Sequence, residues 1–168
     1  MSEDKWMNGD DIAAQLKSVQ ARMRLRSDLA KPALLSAITK SCLLVERDAK
    51  IRMTDSPASG RDYWKGKHHD ILHRASAPGE APAVDTGTLR ASVTHVVDEG
   101  KMEGLVGTHE DYGLYLEVGT SNIRPRPWLT PSLESNRSKI IEMCKSEVVA
   151  VIHRPEDGAT KSPSGGEE

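Results

Sequence analysis

Phenylalanine is absent from this chain, and only three tryptophans and three tyrosines occur among its 168 residues. Any hydrophobic core must therefore be built mainly from Leu, Ile, Val, Met and Ala. That supply is thin for one domain of this length, and the chain is too short for two comfortable domains. We therefore expect one domain with elongated elements, or a protomer that completes its core against neighbouring subunits.

Charge is distributed unevenly along the chain, although its net value is only −2. Residues 1–84 carry 14 basic and 11 acidic side chains, whereas residues 85–168 carry 9 basic and 14 acidic ones. The small net charge gives no global reason to expect nucleic-acid binding. The asymmetry is typical of chains that stack on copies of themselves or on unlike partners. No signal peptide and no apolar run of about 20 residues is visible, so we expect a soluble, cytoplasmic protein without a membrane partner.

Three helices are predicted from apolar residues at helical spacing. The first covers residues 11–26 and is interrupted at Ser27 and Asp28. The second begins at Pro32 and runs to about Arg52, and the third begins at Thr130, which is expected to cap it, and ends before residue 155. The apolar residues that share one face are Ile12, Leu16, Val19 and Met23 in the first helix, Leu34, Ile38, Cys42, Val45 and Ala49 in the second, and Leu133, Ile140, Cys144, Val148 and Ile152 in the third.

Between these helices the apolar periodicity changes. Residues 53–84 contain three prolines and three glycines and are predicted to form a long loop with a helical turn near His69–His73. Residues 91–97 predict a strand, residues 98–101 a turn, and residues 102–107 an antiparallel partner strand. The segment around Tyr112–Leu116 favours a short helix over a strand, with Gly119 as the residue that ends it at positive φ.

The fold class that follows is α+β, with long N- and C-terminal helices packed on a small antiparallel sheet and a long Pro/Gly-rich loop. One domain is expected over residues 1–154. Residues 155–168 have the composition of a flexible tail. Because each proline disfavours helix at the residue before it, residues 124–127 should be extended and should deliver Trp128 to the core.

No constellation of activated groups is evident, so we expect no catalytic residues, no cofactor and no metal. His69 and His73 would share a helix face, but a zinc site needs further ligands. Residues 109–111, His-Glu-Asp, are an ordinary turn in which Asp111 is a good helix N-cap. Ser92 and His95 would point to opposite faces of a strand and cannot form a triad. Cys42 and Cys144 are expected to be buried free thiols.

The turn at residues 85–88, Asp-Thr-Gly-Thr, has a mechanical explanation. The Asp85 carboxylate is expected to accept backbone N–H groups in an Asx-turn, and Gly87 is expected to take positive φ. Leu89 would anchor the turn in the core, Arg90 would stay at the surface, and the strand that follows would be fixed in one register.

Three segments together resemble the tail-component or neck (tail-completion) family of tailed bacteriophages and prophages. The family motifs are DTGxLRxS, VGTxxxYAxYxExGT and RPFLxPAL, in that order, and the resemblance covers about residues 76–150. Gly113 departs from the usual Ala and Trp128 from the usual Phe, and the segment 53–80 is longer than in short members. The matching positions are Asp85, Thr86, Gly87, Leu89, Arg90 and Ser92; Val106, Gly107, Thr108, Tyr112, Tyr115, Glu117, Gly119 and Thr120; and Arg126, Pro127, Trp128, Leu129, Pro131 and Leu133.

The resemblance implies a non-enzymatic virion protein that is made in the host cytoplasm. It implies a ring of six-fold or twelve-fold symmetry at the head–tail junction, in contact with other neck, connector and tail proteins. Genomic DNA would pass through the ring without sequence-specific binding. Arg124 and Arg126 are candidates for contacts to carboxylates of a neighbouring subunit. Changing both to Ala is expected to weaken assembly while the monomer stays folded.

Three alternatives remain open from the sequence. A tail-terminator or minor tail protein belongs to the same class. A nucleic-acid-binding module would use the basic segments Ala21–Arg26 and Lys65–His69, although three arginines spaced by two fan around a helix. A metal-dependent hydrolase would use His69, His73 and His109.

Overall fold

The protein is an α+β chain with a long N-terminal helix, a long C-terminal helix and two small antiparallel hairpins, as the sequence predicts in outline. The computed structural model describes residues 9–68 and 71–153. The predicted tail at 155–168 lies outside them. The elements in chain order are α1 (Gly9–Thr54), β1 (Asp62–Lys65), β2 (Ile71–Arg74), α2 (Thr88–Ser92), β3 (Val93–Asp98), β4 (Glu103–Thr108), α3 (Asp111–Val118) and α4 (Thr130–Ile152).

A single helix, α1, replaces the two N-terminal helices that the sequence predicts. It runs through Ser27, Asp28 and Pro32 without a break and contains 46 residues, which makes it about 70 Å long. Proline removes one backbone hydrogen bond and usually disfavours a helix interior. The strong helix formers Ala, Leu, Lys and Arg that surround Pro32 provide the compensating propensity.

The segment between α1 and α2 is more ordered than the predicted loop. It contains the β1–β2 hairpin, in which Asp62 pairs with Arg74 and Lys65 with Ile71. The helical turn expected near His73 is therefore wrong at the described residues, because Ile71–Arg74 is a strand. An arginine–carboxylate pair supports this hairpin: Arg74 Nε lies 2.5 Å from Asp62 Oδ1, and Arg74 Nη2 lies 2.9 Å from Asp62 Oδ2.

The second hairpin, β3–β4, confirms the predicted antiparallel pair. Its register runs from Val93 opposite Thr108 to Asp98 opposite Glu103. The strand begins two residues later than predicted, because residues 88–92 form the one-turn helix α2. One face of the hairpin packs on α1, where His95 Nδ1 lies 2.6 Å from Glu46 Oε2.

Helix α4 packs along the C-terminal half of α1. Its buried positions are Ser132 and Asn136, whereas Leu133 of the predicted apolar stripe is half exposed. The predicted apolar stripe is wrong at this end of α4. Ser132 and Asn136 can be buried in its place because their side chains form hydrogen bonds to backbone carbonyl groups. Ser132 donates to the Trp128 carbonyl at 2.7 Å, and Asn136 donates to the Ser132 carbonyl at 2.8 Å. A hydrogen-bonded polar side chain can be buried at low cost.

The core lies where α1, α2, β3 and the segment before α4 meet. Its buried cluster contains Ala49, Met53, Leu89, Val93 and Trp128. Cys42 and Val45 extend it along α1, so the predicted stripe of that helix is correct in its C-terminal half. None of the helices in the described part of the chain is long and apolar enough to cross a membrane.

Much apolar surface remains uncovered. Among residues 14–68 and 71–153, eight hydrophobic side chains are buried while twenty-three large hydrophobic side chains are exposed. Every side chain from Ala14 to Leu29 of α1 is exposed. The core formed by the described residues is therefore small, as the shortage of aromatic residues predicts, and every element except α2 has large apolar side chains that no described residue covers.

Substituting Gly104 by Ala tests the contact between β4 and α1. A Cβ at position 104 would lie 2.8 Å from Ile38 Cγ2 and closer still to Cys42 Sγ. We expect Gly104→Ala to lower the free energy of unfolding by about 1–3 kcal/mol, because an overpacked site must move strand or helix. Gly107→Ala is the matched control on the same strand, since nothing lies within 4 Å of its added Cβ. Equal stability of the two variants in urea denaturation would contradict the described packing.

Candidate functional site

The three segments that the sequence analysis singled out meet in the structure. They are the turn at residues 85–90, helix α3, and the extended run at 124–128. Leu89 and Trp128 are both buried in the core cluster. Tyr112 and Leu116 from α3 line the same cavity as the turn. We call this arrangement the motif cluster, and it is the candidate functional site.

Trp128 is the anchor of the motif cluster, with only 1% of its surface exposed. Its indole N–H donates to the Gly113 carbonyl at 3.3 Å. A Cβ at Gly113 would lie 2.5 Å from Thr108 Cγ2 and 3.0 Å from Leu89 Cδ1. Thr108 and Leu89 therefore occupy the space that an alanine side chain at position 113 would need.

The Glu117 carboxylate binds the N-terminus of α4. Its Oε2 accepts backbone N–H groups from Trp128 at 2.7 Å and Leu129 at 2.9 Å, and its Oε1 accepts the Thr130 N–H at 2.8 Å. Burial disfavours its charged form, but the hydrogen bonds from Leu129, Thr130 and Trp128 outweigh that cost and keep the pKa of Glu117 below its usual value. The predicted cap by Thr130 is therefore wrong: Glu117 from α3 satisfies these donors.

Gly119 ends α3 at φ 79°, as predicted. A Cβ there would lie 2.8 Å from the Ile123 carbonyl oxygen. Both the positive φ and this close contact therefore disfavour any residue other than glycine. The loop that follows is closed by Thr120, whose N–H donates to the Ile123 carbonyl at 2.8 Å. The Arg126 N–H then donates to the Leu116 carbonyl at 2.7 Å and aligns the extended run, including half-buried Pro127, with α3.

A cavity of about 240 Å³ lies beside this cluster and is lined by residues that include Tyr63, His73, Asp85, Arg90, Tyr112 and Arg126. Asp85 forms an ion pair with Lys65 of β1. The expected Asx-turn is not formed, because the Asp85 carboxylate pairs with Lys65 while Thr86 Oγ1 accepts the Thr88 N–H at 3.3 Å. Gly87 takes φ 82°, as predicted.

Two titratable groups of the cavity, His73 and Tyr112, have shifted pKa values. Burial and the Lys65 ammonium lower the pKa of His73, so this imidazole is neutral. Burial and the Glu110 carboxylate raise the pKa of Tyr112, so this phenol keeps its proton. At pH 7 the pKa of His73 therefore favours a neutral imidazole, and the pKa of Tyr112 favours a protonated phenol.

The predicted arginines have different surroundings. Arg126 is half buried, and its Nε donates to the Ser76 carbonyl at 3.0 Å. Arg90 is exposed, and its Nη1 lies 3.2 Å from Thr54 Oγ1 at the end of α1. Arg124 is exposed, and no ion pair joins it to a residue of the described chain. Arg126 thus stabilises the protomer itself, and Arg124 is the better isolated of the two candidates for a subunit contact. Tyr115 is also exposed, with half of its surface open.

Other polar groups do not combine into a reactive centre. Ser92 Oγ lies 2.5 Å from Thr108 Oγ1, whereas His95 binds Glu46. Cys42 is a buried free thiol, and burial together with Glu46 raises its pKa; Cys144 is free and half buried. Among residues 9–68 and 71–153, no group of three His, Cys, Asp or Glu side chains could hold a metal ion. His69, one of the histidines considered for a metal, lies outside the described residues.

The resemblance includes the segment at 76–82, but sequence reasoning assigned no role in the site to its individual residues. Ser76 is buried, Ala81 packs on the core cluster, and the Gly79 N–H donates to the Pro125 carbonyl at 2.9 Å. Glu80 closes the segment by accepting the Ala77 N–H at 2.8 Å. The high Pro and Gly content concealed these contacts, since they involve backbone groups far apart in sequence.

Comparison of the chain with models of known protein families, with curated proteins and with solved structures finds no match in any of the three.

Replacing Glu117 by Gln tests the electrostatic part of the α4 contact. We expect Glu117→Gln to lower the free energy of unfolding at pH 7 by about 1–2 kcal/mol, because a neutral amide oxygen accepts these N–H groups less strongly than a carboxylate. Chemical denaturation measures the difference. Glu142→Gln is the control on the same helix, since Glu142 is exposed and forms no ion pair with a described residue.

The pH dependence of this difference has a defined sign. The folded pKa of Glu117 is depressed, so its stabilisation is complete above the unfolded value of about 4.3 and is lost as pH falls through the folded value. The gap between wild type and Glu117→Gln should therefore narrow as the pH falls below the unfolded value. A gap that stays constant from pH 7 to pH 3 would mean that the negative charge does not stabilise α4.

Proposed function

We propose that this protein is a non-enzymatic structural subunit of a tailed-phage virion, of the neck or tail-completion type, and that it forms a ring at the head–tail junction around the DNA conduit. The observation that carries the proposal is the meeting of three family-like motifs in one motif cluster whose polar groups bind backbone. A fold cannot by itself identify a function, so the argument depends on what each group in the cluster does.

The groups that the resemblance identifies act on chain geometry. Glu117 fixes the start of α4, Trp128 joins the extended run to α3, and Gly119 permits the turn between them. None is left with a free, activated atom facing the cavity. Such a cluster supports a role in presenting surfaces in a fixed arrangement, as a ring subunit requires.

The exposed apolar side chains support an assembled state. Trp64 pairs with Leu72 across the β1–β2 hairpin, and Val96 pairs with Leu105 across β3–β4, yet more than half of each of these four side chains is exposed. Leu114 and Val118 are exposed on α3. Large uncovered apolar patches mark interaction surfaces in soluble proteins, and here they occur on several elements, as in a subunit with more than one neighbour.

The rival function as a nucleic-acid-binding module receives less support. One of its two basic segments contains Lys65, which is paired with Asp85 rather than free for a phosphate. The basic residues of α1 and the exposed Lys67 remain available to a polyanion, so this function would depend mainly on the N-terminal half of α1. Binding that weakens steeply with salt is its signature.

Imaging of the purified full-length protein tests the ring. We expect electron micrographs to show closed rings with six-fold or twelve-fold symmetry, because heterologous contacts that close by rotation give cyclic assemblies. Sedimentation velocity provides the mass independently. A chain that is monomeric alone and also in the presence of purified tails and filled heads would contradict the proposal.

Disruption of the gene in its phage distinguishes the joining role from the tail-terminator alternative. Filled heads beside complete, unattached tails are expected for a neck protein. Tails of uncontrolled length would indicate a terminator, and normal infectious particles would contradict a structural role of either kind.

A further inference from the structure

The N-terminal half of α1 carries an apolar stripe with basic residues along both sides. Successive residues are rotated by about 100° around a helix. Leu16, Val19 and Met23 therefore share one face, and their exposed fractions are 58%, 44% and 67%. The basic side chains fall on the two flanks of that face: Arg22 and Arg26 on one side, and Lys17, Arg24 and Lys31 on the other.

No ion pair neutralises these five cations within the described chain. Residues 14–31 contain only one acidic side chain, Asp28. The C-terminal half of the same helix differs, since Lys40, Lys50 and Arg52 there pair with carboxylates. The C-terminal half of α1 is thus packed and contains several ion pairs, whereas its N-terminal half is exposed and basic.

The outward face of the β3–β4 hairpin is complementary to this stripe. Val96 and Leu105 lie directly opposite each other on it, exposed by 61% and 58%. Acidic residues lie at both ends of the pair: Glu99 and Glu103 near the hairpin turn, and Glu110 and Asp111 beyond the end of β4. Residues 98–111 contain five acidic side chains and one lysine, which is the reverse of residues 14–31.

We propose that the N-terminal half of α1 docks on the outward face of the β3–β4 hairpin of a second copy of this chain. Leu16, Val19 and Met23 cover Val96 and Leu105, while the flanking cations face the acidic ends of the hairpin. The inner face of each hairpin is already occupied by its own α1, as Gly104 against Ile38 shows. The inference rests on the proposed function, because it identifies how neighbouring ring subunits would contact each other.

The two surfaces differ from each other, so the contact is heterologous. Each copy offers one helix and one hairpin, and a chain of such contacts either closes into a ring or grows as a filament. Docking of two helices or of two hairpins on each other is disfavoured, because like charges would then face each other across the interface. A second copy is therefore favoured over an unrelated partner by complementarity within the one sequence.

Charge reversal tests the contact on the full-length protein. The helix variant is Arg22→Glu/Arg24→Glu/Arg26→Glu, and the hairpin variant is Glu99→Lys/Glu103→Lys. We expect each variant alone to self-associate at least about ten-fold more weakly than wild type at low salt, because like charges then face each other. Mass photometry and sedimentation velocity measure the assembly, and circular dichroism checks that each variant is folded.

The mixture of the two variants is the decisive sample. The helix variant has an acidic helix and an acidic hairpin, whereas the hairpin variant has a basic helix and a hairpin whose turn end is basic. The acidic helix of one variant therefore matches the basic turn end of the other, and the unchanged helix matches the unchanged hairpin. We expect an equimolar mixture, and also a chain carrying all five substitutions, to recover association to within about three-fold of wild type. Arg137→Glu and Glu142→Lys, both exposed on α4, are controls that should leave assembly unchanged.

Several results would overturn this contact. Single variants that assemble like wild type, or a mixture that does not recover, show that these surfaces do not meet. An effect of the helix variant without one of the hairpin variant shows that another occupant covers the helix. Loss of salt-sensitive binding to duplex DNA or anionic vesicles, with assembly unchanged, identifies a polyanion as that occupant. If the variants form the same rings as the wild-type protein, this contact is wrong but the proposed function stands. Failure of the proposed function is recognised separately, from the gene disruption.

Discussion

One carboxylate connects the motif cluster of this protein. Glu117 lies near the end of α3 and accepts the N–H groups of Trp128 and Leu129, which precede α4, and of Thr130, the first residue of α4. Helix N-termini have unsatisfied donors and a positive end, so a negative charge supplied from another element joins the two helices as well as capping one. Trp128, whose backbone N–H is one of these donors, is thereby placed so that its indole reaches Gly113 and the core.

This use of polar groups bears on function. Among the conspicuous residues between 85 and 131, Glu117 and Arg126 bind backbone groups, Asp85 forms an ion pair within the chain, and Gly87 and Gly119 take positive φ. In the cavity among them, the pKa values of His73 and Tyr112 are moved away from neutrality. What remains uncommitted is surface: the basic half of α1, the outward faces of both hairpins, and α3. A small core with large uncovered faces suits a subunit that is stabilised by its neighbours.

Local rules in the sequence predicted much of the cluster. Gly87 and Gly119 at positive φ, the short helix at Tyr112, and the burial of Leu89 and Trp128 follow from turn chemistry and from prolines. The continuity of α1 through Pro32, the β1–β2 hairpin, and the burial of Ser132 and Asn136 do not. These features depend on contacts between residues far apart in the sequence, such as the Lys65–Asp85 ion pair and the Glu117 cap. Patterns among neighbouring residues cannot predict such contacts. The resemblance to a phage family remains a hypothesis, since the comparisons match nothing.

The central claim is that the single chain is an incomplete unit whose N-terminal helix is covered on assembly. Amide hydrogen exchange, compared between dilute monomer and concentrated assembly, tests it most directly. The account predicts that amides of residues 14–31 exchange at least about ten-fold more slowly in the assembly, while those of residues 37–53, already packed in the monomer, change little. Equal exchange of residues 14–31 in both samples would contradict it.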